Sequence, residues 1–211
     1  CICMSAVIAL AITACSDDDG DVQNDAAVQM DAASQQDAAA QQDAEVQQDS
    51  SVPQGCDSLQ DGVNTGFMVD GLPRSFILDL PDDVETAGPF AVIFNYHGLG
   101  DTMTNFSGLF SGLVNNQDMP FILVTPEDTD YQMYGQSVDW DGYNVPDFET
   151  NVEVRLFDEL LACIEERWGV DTDHIHTTGF SIGGGMADLL GVARGDLIAS
   201  VASYSGAYLN N

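Results

Sequence analysis

The chain has no lysine, and only four arginines (Arg74, Arg155, Arg167 and Arg194) stand against 35 acidic residues, giving a formal net charge of −31. A nucleic-acid partner needs a basic face to neutralise phosphates, and these four cations cannot assemble one. Docking on anionic lipid through basic patches is excluded for the same reason. Residues 2–14, ICMSAVIALAITA, are apolar or small, but the run is shorter than the roughly 20 residues a membrane-spanning helix requires. The acid excess reads as a solvated surface plus an acidic tether.

The first residue is Cys1 rather than Met, and Leu209-Asn210-Asn211 follow directly on a strand-like run. Both ends read as cut, and the expectation is a piece of a longer protein. Residues 1–15 fit the apolar part of a signal peptide. Within them Ile12-Thr13-Ala14-Cys15 resembles the bacterial lipobox, which implies lipidation of Cys15 and membrane contact only through that anchor. The implied location is secreted, or anchored at the bacterial surface or in the periplasm. In residues 16–54, Asp25, Asp31, Asp37, Asp43 and Asp49 recur every six residues among Ala and Gln. That period matches neither helix nor coiled coil and offers nothing to bury, so an extended disordered tether is expected. Residues 55–211 remain for a folded domain. Export permits a disulfide, and Cys56 and Cys163 are the cysteines in that domain; they can pair with each other or with cysteines elsewhere.

From residue 65 the pattern changes. Residues 67–69 and 74–80 read as strands of a hairpin joined through Asp70-Gly71-Leu72-Pro73. Phe90 to Tyr96 and Phe121 to Val124 are continuous apolar runs, as in strands buried on both faces. Phe106, Leu109, Phe110 and Leu113 fall at helical spacing between them. Thr150 to Glu153 fits a capping box, opening a helix with Phe157, Leu160, Leu161, Ile164 and Trp168 on one face and Gly169 as its stop. Residues 174–178, 181–192 and 198–204 read as strand, helix, strand. A hairpin followed by alternating strands and helices predicts an α/β fold, a mostly parallel sheet covered by helices on both faces. Ligands then bind at the strand C-termini, after Tyr96, Thr125 and Thr178.

After the last of these comes Gly179-Phe180-Ser181-Ile182-Gly183, followed by Gly184-Gly185. G-x-S-x-G between a β-branched strand and a helix is the setting of a nucleophile elbow. The turn is too tight for side chains at Gly179 and Gly183, and it lifts the Ser181 hydroxyl to a helix N-terminus, where negative charge is favoured. A phosphate-binding loop is disfavoured, because no lysine follows the glycines. Acyl transfer also needs oxyanion donors. The backbone N–H of Ile182 supplies one. The second is expected from His97-Gly98-Leu99-Gly100-Asp101, at Leu99 or else at Gly98. His97 precedes the nucleophile, which is the wrong order for the base of this class, so it is expected to fix the oxyanion loop. His174 and His176 are expected to be structural. The loop after Thr125 carries Glu127, Asp128, Tyr131, Tyr134, Trp140 and Tyr143, and Trp140 is the expected substrate contact.

Together, HGLGD after a buried strand, a Trp in the following loop and GVDTDHIHTTGFSIGGGM resemble the extracellular feruloyl esterases and polyhydroxybutyrate depolymerases of the α/β-hydrolase superfamily. The resemblance spans about residues 65–206. It implies an α/β-hydrolase fold truncated after about its sixth strand, with Ser181 as nucleophile and oxyanion donors near Leu99 and Ile182. It places the acid and histidine of the triad beyond Asn211. The implied activity is serine carboxylic-ester hydrolysis through an acyl-enzyme, with no metal or cofactor. The implied substrates are plant polysaccharide feruloyl esters or polyesters. A binding module that keeps the fold without catalysis, or a serine peptidase on the same fold, are the alternatives. Ile182, Gly185 and the loop DWDGYNVPDFETN depart from the family pattern and bear on the substrate.

Overall fold

A computed structural model describes residues 55–130, 132–133, 136–137, 139–141 and 148–206. The signal-peptide, lipobox and tether readings lie outside these residues.

The strands are β1 (Gly62–Val69), β2 (Leu72–Asp79), β3 (Phe90–Tyr96), β4 (Phe121–Pro126), the short β5 (Gln132–Met133) and β6 (Gln136–Ser137), β7 (Val170–Phe180) and β8 (Ser200–Tyr204). The helices are α1 (Met103–Ser107), α2 (Val152–Trp168) and α3 (Ile182–Ala193). Six strands form one sheet in the order β1-β2-β4-β3-β7-β8. The β1–β2 and β2–β4 pairs are antiparallel, whereas β4–β3, β3–β7 and β7–β8 are parallel. The hairpin turns at Asp70 and Gly71, with φ of 49° and 81°; two positive-φ residues suit a two-residue turn, which Asp-Gly favours. Leu72 and Pro73 belong to β2 rather than to the turn.

The apolar runs of β3 and β4 are buried because the sheet is sandwiched there. Phe90, Val92 and Phe94 of β3 pack with Phe157, Leu160 and Ile164 of α2 in the main core. Ala91 and Leu123 meet Val114 and Phe121 in a second cluster. Cys56 and Cys163 form a disulfide with a sequence separation of 107, which ties the start of the domain to α2. Closing a loop of that length is worth about 4–5 kcal/mol on a chain-entropy account. All five residues of β8 are exposed.

Two local readings are corrected. The 106–113 periodicity is met by a short helix ending at Ser107 and a 3-10 turn over Ser111–Leu113, not by one helix. Gly108 and Gly112 interrupt it at the cost glycine carries in a helix. The cap of α2 is Asn151, not Thr150: its side chain accepts from the N–H groups of Glu153 and Val154. Glu153 does not reach back to the cap. Its carboxylate is fully buried and takes a hydrogen bond from Arg74 at 2.8 Å, joining the outer hairpin to the start of α2.

Burial raises the Glu153 carboxyl above its ordinary 4.5, and the Arg74 charge opposes that. The folded chain thus holds this proton more tightly than the unfolded chain, so stability is lost as pH rises from the ordinary value through the raised one. Arg74→Met leaves a buried uncompensated carboxylate and is expected to cost about 3–5 kcal/mol near neutral pH. Without the opposing charge the Glu153 carboxyl rises further. The deficit in urea midpoint is therefore expected to shrink from about pH 8 to about pH 5. A deficit independent of pH would assign the loss to packing.

Candidate active site

The strand-to-helix turn is as tight as its glycines require. A Cβ added at Gly179 would stand 2.2 Å from the Gly183 carbonyl oxygen, and one at Gly183 would stand 2.2 Å from the carbonyl oxygens of both Tyr96 and His97. The turn therefore packs, backbone against backbone, on the end of β3. Between the glycines Ser181 adopts φ 55°, ψ −121°. A non-glycine residue in this region stores strain of order 1–3 kcal/mol and persists only where its surroundings fix it. Here the Ser181 N–H donates to the Tyr204 carbonyl at 2.8 Å, and the Ser181 carbonyl accepts from the Gly185 N–H at 3.1 Å. The half-buried Ser181 stands at the N-cap of α3 but makes no side-chain capping bond.

The loop after β3 lies alongside. A Cβ at Gly98 would sit 3.5 Å from the Ser181 Cβ, so the backbone following His97 borders the serine. In this loop the Gly100 N–H is taken by Asp139 Oδ2 at 2.7 Å and the Asp101 N–H by the Gly98 carbonyl at 3.0 Å. The N–H of Ile182 belongs to the first turn of α3, which has no intrahelical acceptor for it. Gly98 and Ser181, with their chain neighbours Leu99 and Ile182, thus meet at the C-terminal ends of β3 and β7. Leu99 and Phe180 are both largely exposed beside them, at 62% and 50%.

Trp140 requires a correction. It is fully buried, so it cannot meet a substrate. Its indole N–H donates to the His97 carbonyl at 3.0 Å, and its ring packs on His97 and on Tyr96 with centroids 4.7 and 5.2 Å apart. It supports the loop from below. Tyr131, Tyr134 and Tyr143 lie outside the described residues.

His97 is fully buried. Its Nδ1 lies 3.0 Å from the Gly98 carbonyl, and its Nε2 faces Glu127 and Asp128. His174 pairs with Asp171 at 2.7 Å, and His176 meets the Ser200 hydroxyl at 2.8 Å. Burial holds the His176 imidazole below its usual range. At about 3.3 Å per strand residue, His176 stands roughly 16 Å before Ser181 and His174 farther still.

One supporting residue escaped sequence reading. Asp139, buried and at φ 60°, reaches across 39 positions to hold the Gly100 N–H. Burial pushes its carboxyl upward against the pull of that hydrogen bond, and the charge of Asp128 adds to the rise.

No protein-family model matches the chain. Among curated proteins it is similar to feruloyl esterase D of Neurospora crassa, 29% identical over 160 residues, covering 72% of this chain and 52% of the relative. It is also similar to feruloyl esterase C of Emericella nidulans, 28% identical over 158 residues with the same two coverages. The chain spans about half the length of these relatives. Among solved structures it superposes on native sOPH with TM-score 0.61 at 19% identity, covering 72% of this chain and 53% of that one. A ferulic acid esterase gives TM-score 0.53 at 24% identity, covering 68% and 57%. The fold is the α/β-hydrolase fold, and the resemblance to feruloyl esterases holds over most of the described domain.

Proposed function

Starting from that likeness, we propose that the full-length protein is a serine carboxylic-ester hydrolase with Ser181 as its nucleophile. The observation that carries the reading is the Ser181 backbone at φ 55°, set against Gly98 and at the head of α3. Ser181 Oγ attacks the ester carbonyl carbon, and the carbonyl π electrons move to oxygen. The N–H groups of Ile182 and of Leu99 or Gly98 hold that oxyanion. The tetrahedral species collapses, the alcohol leaves with a proton, and water then cleaves the acyl-enzyme.

The chain has three histidines, and none is placed to serve Ser181. His97 is fully buried with its Nδ1 on the Gly98 carbonyl, and the other two stand back along β7. The reading therefore draws its imidazole and acid from parts of the full-length protein other than these residues. With Trp140 buried, Leu99 and Phe180 take its place as the apolar surface that meets the acyl or alcohol group. The substrate class proposed is an extracellular ester, a feruloylated polysaccharide or a polyester. Export, and anchoring through a lipidated Cys15, belong to the same proposal.

The test compares aryl esters of ferulate and butyrate with the matching anilides on the purified full-length protein. Turnover of the esters with little or none of the anilides is expected. Faster anilide cleavage would favour a peptidase, and turnover of neither would favour a binding module.

A further inference from the structure

Beneath the loop that borders Ser181, the buried His97 is set among acidic side chains with its Nε2 lacking a hydrogen-bond partner. Its Nδ1 lies 3.0 Å from the Gly98 carbonyl oxygen. A carbonyl only accepts, so the ring proton must be on Nδ1. Nε2 then faces Glu127 Oε1 at 3.2 Å and Asp128 Oδ2 at 3.6 Å. Both distances allow an ion pair, yet Nε2 is buried and has no aligned hydrogen-bond partner. Asp139 completes the cluster: one ligand atom from each of His97, Asp128 and Asp139 lies within 4.8 Å of the others.

Arg74 bonds the backbone carbonyl of Glu127 and the carboxylate of Glu153, leaving the Glu127 side chain to the cluster. Glu127 Oε2 and Asp139 Oδ2 are oriented by the N–H groups of Met103 and Gly100. Asp128 Oδ1 is oriented by the Asp130 N–H. An imidazole whose other nitrogen donates to a backbone carbonyl, beside carboxylates held by backbone N–H groups, is how metal-ligating side chains are commonly oriented. Ligand atoms at about 2.1 Å from one ion stand about 3.0–4.2 Å apart, so a small contraction of the cluster encloses an ion.

We propose that His97 Nε2, Asp128 and Asp139, with Glu127 beside them, bind one divalent cation of the zinc or manganese class. The mixed nitrogen and oxygen donor set favours such a borderline ion over calcium, which takes six to eight oxygens. The acyl-transfer chemistry itself needs no metal, so none is expected on that ground. This ion is structural. It ties β3, the loop after β4 and Asp139 together under the oxyanion loop. The proposal does not depend on Ser181 being a nucleophile, and its test does not read activity.

In the imidazole nitrogen spectrum of the full-length protein, His97 is identified as the signal that His97→Gln removes. On titration with Zn²⁺, His97 Nε2 is expected to shift saturably near one equivalent. Asp128→Asn and Asp139→Asn should each weaken that response at least about tenfold. Ca²⁺ at equal concentration should leave His97 unmoved. The proposal is overturned if both His97 nitrogens carry protons throughout, or if Zn²⁺ leaves His97 unmoved while binding elsewhere on the protein. An equal response to Ca²⁺, or a response unchanged in both variants, would overturn it as well.

Discussion

Ser181→Ala in the full-length protein is expected to lower kcat/KM for an activated ester by at least about 10⁴-fold, with little change in stability. The magnitude follows from removal of the nucleophile, which in serine hydrolases leaves only oxyanion and binding contributions. The small stability effect follows from the fold. The hydroxyl does not cap α3, and the hydrogen bonds that fix residue 181 are made by its backbone. Alanine keeps both, although the positive φ remains. Steady-state kinetics and thermal melts on the same preparations separate the two effects. Residual activity within about tenfold of the parent would mean that another group carries the chemistry.

The second large effect is structural. Gly183→Ala is expected to prevent accumulation of folded protein, because the added methyl would overlap two backbone carbonyl oxygens at 2.2 Å. Backbone cannot move aside as a flexible side chain can, and overpacking a rigid contact costs several kcal/mol. That approaches the whole stability of an ordinary domain. Gly100→Ala is the control. It also replaces a positive-φ glycine, at 71°, but nothing lies within 4 Å of the new Cβ, so about 1 kcal/mol of backbone strain is its expected cost. Soluble yield and urea midpoints distinguish the pair. A Gly183→Ala protein as stable as Gly100→Ala would mean that the turn is looser than described.

Much of this architecture was legible because the strands announce themselves in two ways. Phe90 to Phe94 and Phe121 to Val124 are apolar at every position since both sheet faces are covered there. The Gly-x-Ser-x-Gly turn is confined by its own sterics, so its place between β7 and α3 could be read locally. What could not be read were contacts between distant segments. Nothing around Asp139 announces that it will hold Gly100, and Arg74 with Glu153 spans 79 positions. Trp140 was misplaced for a related reason. An aromatic in a loop at the strand ends has the same sequence appearance whether it turns outward to a ligand or inward beneath a backbone carbonyl, as it does at His97. Thr150 and Asn151 are both competent caps. Asn151 is the cap because it stands next to the helix, and its amide also donates to the Asp141 carbonyl at 2.6 Å.

The burial of Trp140 makes it a support of this loop rather than a ligand contact. Its indole and the Asp139 carboxylate fasten the His97–Gly100 backbone from two sides. In the reaction proposed above, oxyanion donors in a loop held this way are preorganised, so little reorganisation remains.

The account rests on Ser181 being the reactive group of an acyl-transfer site. Treating the full-length protein with a fluorophosphonate and mapping the adduct by peptide mass spectrometry tests this directly. The account predicts one phosphonyl group per chain on the peptide containing Ser181, and none after Ser181→Ala. An adduct on another residue, or none on protein that hydrolyses esters, would contradict it.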